Sequence, residues 1–290
     1  MRYTCKKLKQ ISRGALSQNW GIVICAYALI SIITSLVTSP FQKPINDLSM
    51  QNMYQSFESM GMGEMFIEMY GTVTIPSTTE LILAISATLI ISLVATVLTA
   101  GHYRIHLSVL RKEKNGIKAL FSQFKNRPDR YILSTILLTL ILVACMLPMM
   151  IAAALITYFA WAEQTIGVYI SLIATLVTFV AGLVFTLLFS FKYSQITYLY
   201  IDNPEMGVWE GFKESSRIMK GNIGRYLYMV LSFLPLHLLN MLTFGIGSFF
   251  LVPYMTSVQS AFYMDVSGDF QRREEEARRL EEEMGPVLSE

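Results

Sequence analysis

A chain of 290 residues that is 53% hydrophobic and only 15% charged, with a mean hydropathy of +0.46, is too apolar for a pair of water-soluble domains and reads as an integral membrane protein. Its 23 Lys and Arg nearly cancel its 21 Asp and Glu, so the net charge of +2 gives no footing for nucleic acid as a partner. Cys5, Cys25 and Cys145 lie far apart without CxxC spacing, which indicates neither a disulfide framework nor a zinc site.

The first segment carries Arg2, Lys6, Lys7, Lys9 and Arg13 around an apolar stripe of Leu8, Ile11 and Ala15, and ends at Asn19. That pattern predicts an amphipathic helix lying on the membrane surface. The apolar run that follows, 20–39, has no small-x-small cleavage site and reads as an uncleaved first span. Beyond it, 40–78 is expected to be an outer loop rich in methionine. Met50, Met53, Phe57 and Met60, then Met62, Met65, Phe66, Met69 and Tyr70, fall at helical spacing on either side of a Gly-Met-Gly joint.

A second span is expected at 79–103, with His102 and His106 one turn apart at its inner end. They have metal-ligand spacing but no third ligand nearby, and the sequence reads them as wet interfacial residues. An amphipathic segment opens at "GIKALF", 116–121, with Ile117, Leu120, Phe121 and Phe124 on one face. Spans at 131–159 and 166–191 follow. A third amphipathic segment opens at "GVWEGF", 207–212, with Trp209, Phe212 and Met219 on one face, Asn203 and Pro204 at its start and Gly221 and Asn222 at its end. The apolar stretch 226–264 is too long for one crossing and contains "FGIG", so it divides into spans at 226–244 and 247–264.

The expected fold is therefore all-α: a polytopic membrane domain, 1–265, of six transmembrane helices in three hairpins, each preceded by an amphipathic interfacial helix. A charged helix, 266–290, follows, with Glu274–Arg278 and Glu275–Arg279 as i,i+4 pairs and Phe270, Ala277, Leu280 and Met284 at heptad-like spacing. The second and fourth spans repeat at an offset of about ninety. Ala84, Thr88, Ser92, Thr96 and Ala100 align with Ala174, Thr178, Gly182, Thr186 and Ser190, which predicts either close helix packing or a polar lining. Segment 104–130 has eight basic and two acidic residues, whereas 40–80 has Lys43 against five acidic residues. Both termini are thus expected in the cytoplasm of a cell with a multi-pass cytoplasmic membrane protein.

No Asp or Glu falls in the span interiors, and no catalytic constellation is legible, so an enzyme is not expected and no cofactor is implied. His237, with Asn240 a turn away and Pro235 beside it, is either a proton relay or substrate contact, or a neutral ring bonded to a carbonyl that the proline frees. Soft sulfur ligands raise a Cu(I) reading, with Met60, Met62 and Met65 outside and Met146 and Met150 beside Cys145 in the third span. This is similar in part to the thioether ladders of copper-uptake channels. A methionine stripe equally suits lipid or a variable protein partner. The function expected is non-enzymatic binding of membrane lipids, another membrane protein or a second copy; the alternative is a transporter or channel for a small solute or Cu(I).

"SSRIMKGNIGRYLYMVLSFLPLHLL", "TFGIGSFFLVPYMTSVQSAFYMD" and "RGALSQNWG" together resemble the bacterial membrane-protein family described as domain of unknown function 975. The resemblance runs from about residue 8 to 265 and implies a multi-pass bacterial membrane protein. It implies no catalytic or binding residues.

Overall fold

The computed structural model describes residues 3–72, 74–113 and 116–284. Arg2 and Lys114 of the basic clusters, and 285–290 of the expected tail, lie outside the described residues. Among them the chain is helical throughout: α1 Cys5–Ser17, α2 Trp20–Ser59, α3 Gly63–Tyr70, α4 Thr78–Leu110, a 3₁₀ helix Ile117–Phe124, α5 Pro128–Trp161, α6 Thr165–Lys192, α7 Ile196–Asp202, α8 Val208–Met219, α9 Ile223–Leu231, α10 Leu234–Leu242, α11 Ser248–Val266 and α12 Asp269–Met284.

Four helical stretches, beginning at Trp20, Thr78, Pro128 and Thr165, are long and apolar enough to cross a bilayer. Six crossings were expected. The stretch 226–244 contains two nine-residue helices, α9 and α10, which meet at Ser232 and Phe233 just before Pro235. The stretch 247–264 is α11, whose C-terminal half is buried in protein.

The first long helix does not stop at 39. It runs to Ser59 through Pro40 and Pro44, so the near half of the expected loop is helical. Proline at 40 leaves the Leu36 carbonyl without an amide donor, and the Ser39 hydroxyl donates to it at 3.3 Å. Helix α2 ends at Met60 and Gly61, the latter at φ 75°, and α3 folds back so that Phe66 is buried among Tyr54, Phe57 and Tyr70. The start of α4 is fixed by a capping box: Glu80 N–H donates to Ser77 Oγ at 3.2 Å, and Ser77 N–H donates to Glu80 Oε2 at 2.8 Å.

The long helices pack as two hairpins, α2 with α4 and α5 with α6. Between α5 and α6 the contact is close because Gly182 lacks a side chain: a Cβ there would lie 2.8 Å from Met146 Cε and 3.0 Å from the Cys145 carbonyl oxygen. Trp161, 84% exposed, and Tyr158 and Tyr169 ring the far end of this hairpin, as interfacial aromatics do.

The dense core sits at one end of the hairpins, where α1, α7, α8, α9 and α11 gather around the end of α4. Leu8, Leu16, Ile105, Met219, Met229 and Phe262 are fully buried there. Of the stripe expected on α1, Leu8 is buried and Ile11 and Ala15 pack on the core's edge. The segment at 117–124 is a 3₁₀ helix of which Leu120 faces the core, while Ile117, Phe121 and Phe124 are exposed. It crosses α4 at Gly101, where a Cβ would stand 1.8 Å from the Leu120 carbonyl oxygen, so only glycine fits. On α8, Phe212 and Met219 are buried but Trp209 is 80% exposed. Asn203 caps the end of α7 rather than the start of α8, its side-chain amide donating to the Leu199 carbonyl at 3.1 Å.

Candidate functional site

Helix α1 lies antiparallel along α11. The Tyr3 amide donates to Asp265 Oδ1 at 2.9 Å, Arg13 Nε donates to the Tyr254 hydroxyl at 3.1 Å, and Trp20 meets Phe250 with ring centroids 6.1 Å apart. On the same side, α9 and α10 run back along α11. Phe233 touches Tyr254 edge-on, and Asn240 lies against Gly247, where a Cβ would fall 2.8 Å from Asn240 Oδ1.

These three strands of helix enclose a groove of about 460 Å³. Its walls are Trp20, Leu236, Leu239, Phe250 and Leu251, and its mouth is Arg13. Lys9, one turn earlier, places its ammonium 4.5 Å from the centre of the Phe233 ring and donates to the Ser232 carbonyl at 3.4 Å. That carbonyl belongs to the break before Pro235. Burial lowers the Lys9 pKa from its ordinary value. Neither Lys9 nor Arg13 forms an ion pair among the described residues. Asn240 Oδ1 is buried at the groove and has no hydrogen-bond partner among the described residues. A cation without a carboxylate at the mouth of an apolar slot, with a second one turn away along α1, makes an amphipathic receptor of a volume usual for small-molecule sites.

His237, the neighbour of Asn240 by one turn, is exposed, and its ring makes no hydrogen bond among the described residues; the expected bond to a freed carbonyl is absent. His102 and His106 differ from expectation in the opposite direction. They are 4% and 0% exposed, His106 Nδ1 lies 2.6 Å from Ser257 Oγ, and Tyr27 stacks on His102. Helix α11 covers them, so the rings are dry.

A second, polar cavity of about 920 Å³ opens where α7, α8, α11 and α12 converge. Arg111 organises it, donating to both carboxylate oxygens of Asp202 at 2.7 Å and, through Nε, to Asp269 at 2.9 Å; the Tyr263 hydroxyl also donates to Asp202, at 2.8 Å. Burial would lower the Arg111 pKa, but these acids outweigh it and hold the guanidinium above its ordinary value. Asp269 and Arg273, which bonds Glu113 at 3.4 Å, thereby seat the first turn of α12. The tail pairs expected from spacing are not formed: Glu274 accepts from the Tyr3 hydroxyl, and Arg278 donates to the Glu274 carbonyl.

The small-residue stripes have separate fates. On α6 the stripe packs on α5 at Gly182. On α4, Thr88, Ser92 and Thr96 face a cleft of about 360 Å³, shared with Thr34, Thr38, Thr135 and Thr197. Met60, Met62 and Met65 are exposed at the α2–α3 corner; Met146 packs on Gly182, and Met150 is 56% exposed on the other hairpin. Among the described residues no group of three His, Cys, Asp or Glu is placed to hold a metal ion.

Arg130 escaped notice in the sequence because it sits at the edge of a span. It is 1% exposed, stacks on Tyr131 and Tyr200, and donates to the carbonyls of Tyr200, Asn203 and Pro204 at 2.6–2.8 Å. These are the carbonyls at and just beyond the C-terminal end of α7, where a helix attracts a cation.

No curated protein and no solved structure matches the chain. The family model described as "Protein of unknown function (DUF975)" matches residues 1–269, from α1 through the first residue of α12, and the chain belongs to that family.

Proposed function

We propose that this is a non-enzymatic protein of a bacterial cytoplasmic membrane that binds an acidic phospholipid in the groove between α1, α10 and α11. The observation that carries the reading is Arg13 at the mouth of an apolar slot walled by Trp20, Leu236, Leu239 and Phe250, with Lys9 one turn away over Phe233 and neither cation in an ion pair among the described residues. A phosphate would sit between the cations and an acyl chain would follow the slot. The distribution of basic residues supports placing both termini, and hence the groove, on the cytoplasmic side.

The test is native mass spectrometry of protein reconstituted in nanodiscs of phosphatidylglycerol and phosphatidylcholine in equal parts. Retained phosphatidylglycerol that is lost when Lys9→Gln and Arg13→Gln are combined supports the reading. Equal retention of both lipids, unaffected by those changes, overturns it.

Transport of a small solute is the second reading, favoured by the hydroxyl-lined cleft of Thr34, Thr38, Thr88, Ser92, Thr96 and Thr135 between the two hairpins. Liposome flux abolished by Thr96→Val would support it. Cu(I) binding by Met60, Met62 and Met65 is checked in the same preparation by the mass of bound copper.

A further inference from the structure

Helices α10 and α11 are joined by Thr243–Gly247, and three relationships fix how deep this turn reaches. Trp20 touches Phe250, Tyr27 touches Phe249 at 5.9 Å between ring centroids, and Tyr27 stacks on His102. The start of α11 is therefore level with the first two turns of α2 and with the inner end of α4. At the other end of the same pair of helices, Lys43 of α2 lies close enough to Glu80 of α4 to interact electrostatically. Between Tyr27 and Lys43 the helix rises about 24 Å, whereas the turn extends only about 8 Å beyond Phe249. The turn thus ends roughly 15 Å short of the level of Lys43 and Glu80.

Its surface and its backbone fit that depth. Leu238, Met241, Leu242, Phe244, Ile246 and Phe250 are all exposed, Phe244 at 97%. Phe244 also has φ 50°, a conformation that a bulky side chain adopts rarely and that here aims the ring outward. Water would disfavour such a crest; hydrocarbon would not. Every backbone N–H from Thr243 to Leu251 is satisfied within the turn: the Gly245 amide donates to the Asn240 carbonyl at 3.1 Å, the Gly247 amide to the Thr243 hydroxyl at 3.1 Å, and the Ser248 amide to the Gly245 carbonyl at 3.0 Å. The Ser248 hydroxyl also donates to the Gly245 carbonyl, at 2.6 Å. A turn exposed to lipid must satisfy its backbone internally, since no water is there to do it.

We infer that residues 236–250 form a re-entrant wedge that enters only the leaflet on the side of α1 and α12 and turns back within the hydrocarbon. The partner of its crest is the acyl region of that leaflet. The inference rests on α2 and α4 crossing the bilayer and is independent of any lipid held in the groove.

The test uses the full chain with Cys5, Cys25 and Cys145 replaced by serine, carrying one new cysteine at a time. Asn52→Cys and Lys118→Cys report the two aqueous sides through a membrane-impermeant maleimide, applied to intact cells and to inverted vesicles. The Phe244→Cys and Ile246→Cys proteins are expected to react with this reagent from neither side. Labelled after solubilisation with an environment-sensitive fluorophore and returned to phosphatidylcholine–phosphatidylglycerol vesicles, they are expected to be quenched at least threefold more by lipids brominated deep in the chain than by lipids brominated near the headgroup. Reaction of Phe244→Cys from the side that labels Asn52→Cys would show a full crossing and overturn the wedge. Reaction from the side that labels Lys118→Cys, with no quenching by brominated lipid, would place the turn in water and overturn it equally.

Discussion

The Nε2 atoms of His102 and His106 lie 2.9 Å apart, so one ring carries a proton there and the other does not. His106 reaches Ser257 with its other nitrogen, which ties α4 to α11 through a chain of three buried polar groups. Removing the middle member leaves both neighbours unpaired, at about 1–3 kcal/mol each. His106→Leu is therefore expected to lower the melting temperature in detergent, while His237→Leu, at an exposed ring, leaves it within about 0.5 kcal/mol of the parent. Equal melting of all three proteins would show that the chain of bonds is not made.

Two glycines at helix contacts should respond differently to the same added methyl group. At Gly101 the new Cβ meets the Leu120 carbonyl, a backbone atom fixed by the 3₁₀ helix, whereas at Gly182 its nearest neighbour is the flexible tip of Met146. Gly101→Ala should destabilise by about 3 kcal/mol or more and Gly182→Ala by roughly 1 kcal/mol. Thermal unfolding of the two proteins side by side decides the order.

Arg130 is buried without a carboxylate, and its planar fork serves carbonyls that diverge from the end of α7. A lysine keeps the charge and loses the fork. Arg130→Lys should cost about 1.5–3 kcal/mol, the value of one hydrogen bond to a charged group, and Arg130→Met more. A lysine variant as stable as the parent would mean that charge alone is needed.

The first turn of α12 is held by Asp269 on Arg111 and Arg273. Asp269→Asn should free it, so that trypsin cuts at Arg272 and Arg273 at least several times faster. Because Arg111 and Asp269 are largely buried, raising the salt from about 0.15 M to 0.5 M should have a much smaller effect than the substitution. Unchanged cleavage would show that the helix is seated by other contacts.

The groove should lose affinity for acidic lipid as the pH rises. Burial lowers the Lys9 pKa, so its charge is lost at a pH below the ordinary lysine value of about 10.4. Phosphatidylglycerol retention should fall as the pH rises through the interval below the ordinary lysine value, and Lys9→Arg should abolish that fall because arginine stays charged. The sign for stability is opposite: the unfolded chain binds the proton more tightly, so Lys9 disfavours folding less as pH rises through that interval. A decline identical in the arginine variant would assign it to another group.

The four long helices were legible because hydropathy is a local property, and twenty apolar residues in a row suffice to declare a span. The break of 226–264 into three helices was harder to read for a matching reason. A pair of helices that crosses and a pair that turns back have the same composition, and the level of α11 along α2 follows from where Phe249 and Phe250 meet Tyr27 and Trp20, over two hundred residues away. The histidines at 102 and 106 were expected to be wet because they end an apolar run; Ser257, 151 residues later, comes from the helix that covers them. In the groove, Arg13 and Lys9 were visible as a basic face and Asn240 as a polar residue in an apolar run. Their meeting around Tyr254 and Gly247 depends on the antiparallel register of three helices, which no spacing encodes.

Arg130 carries a further consequence for the order in which the protein is made. Its guanidinium leaves the ribosome about seventy residues ahead of the carbonyls of Tyr200, Asn203 and Pro204 that receive it. At synthesis rates of 5–20 residues per second, that gap lasts roughly 4 to 15 seconds. Throughout it the guanidinium in the first turn of α5 has only the neighbouring Tyr131 as a protein partner, and water or headgroups must supply the rest. The hydrogen bonds that bury Arg130 can therefore form only once the end of α7 has been translated.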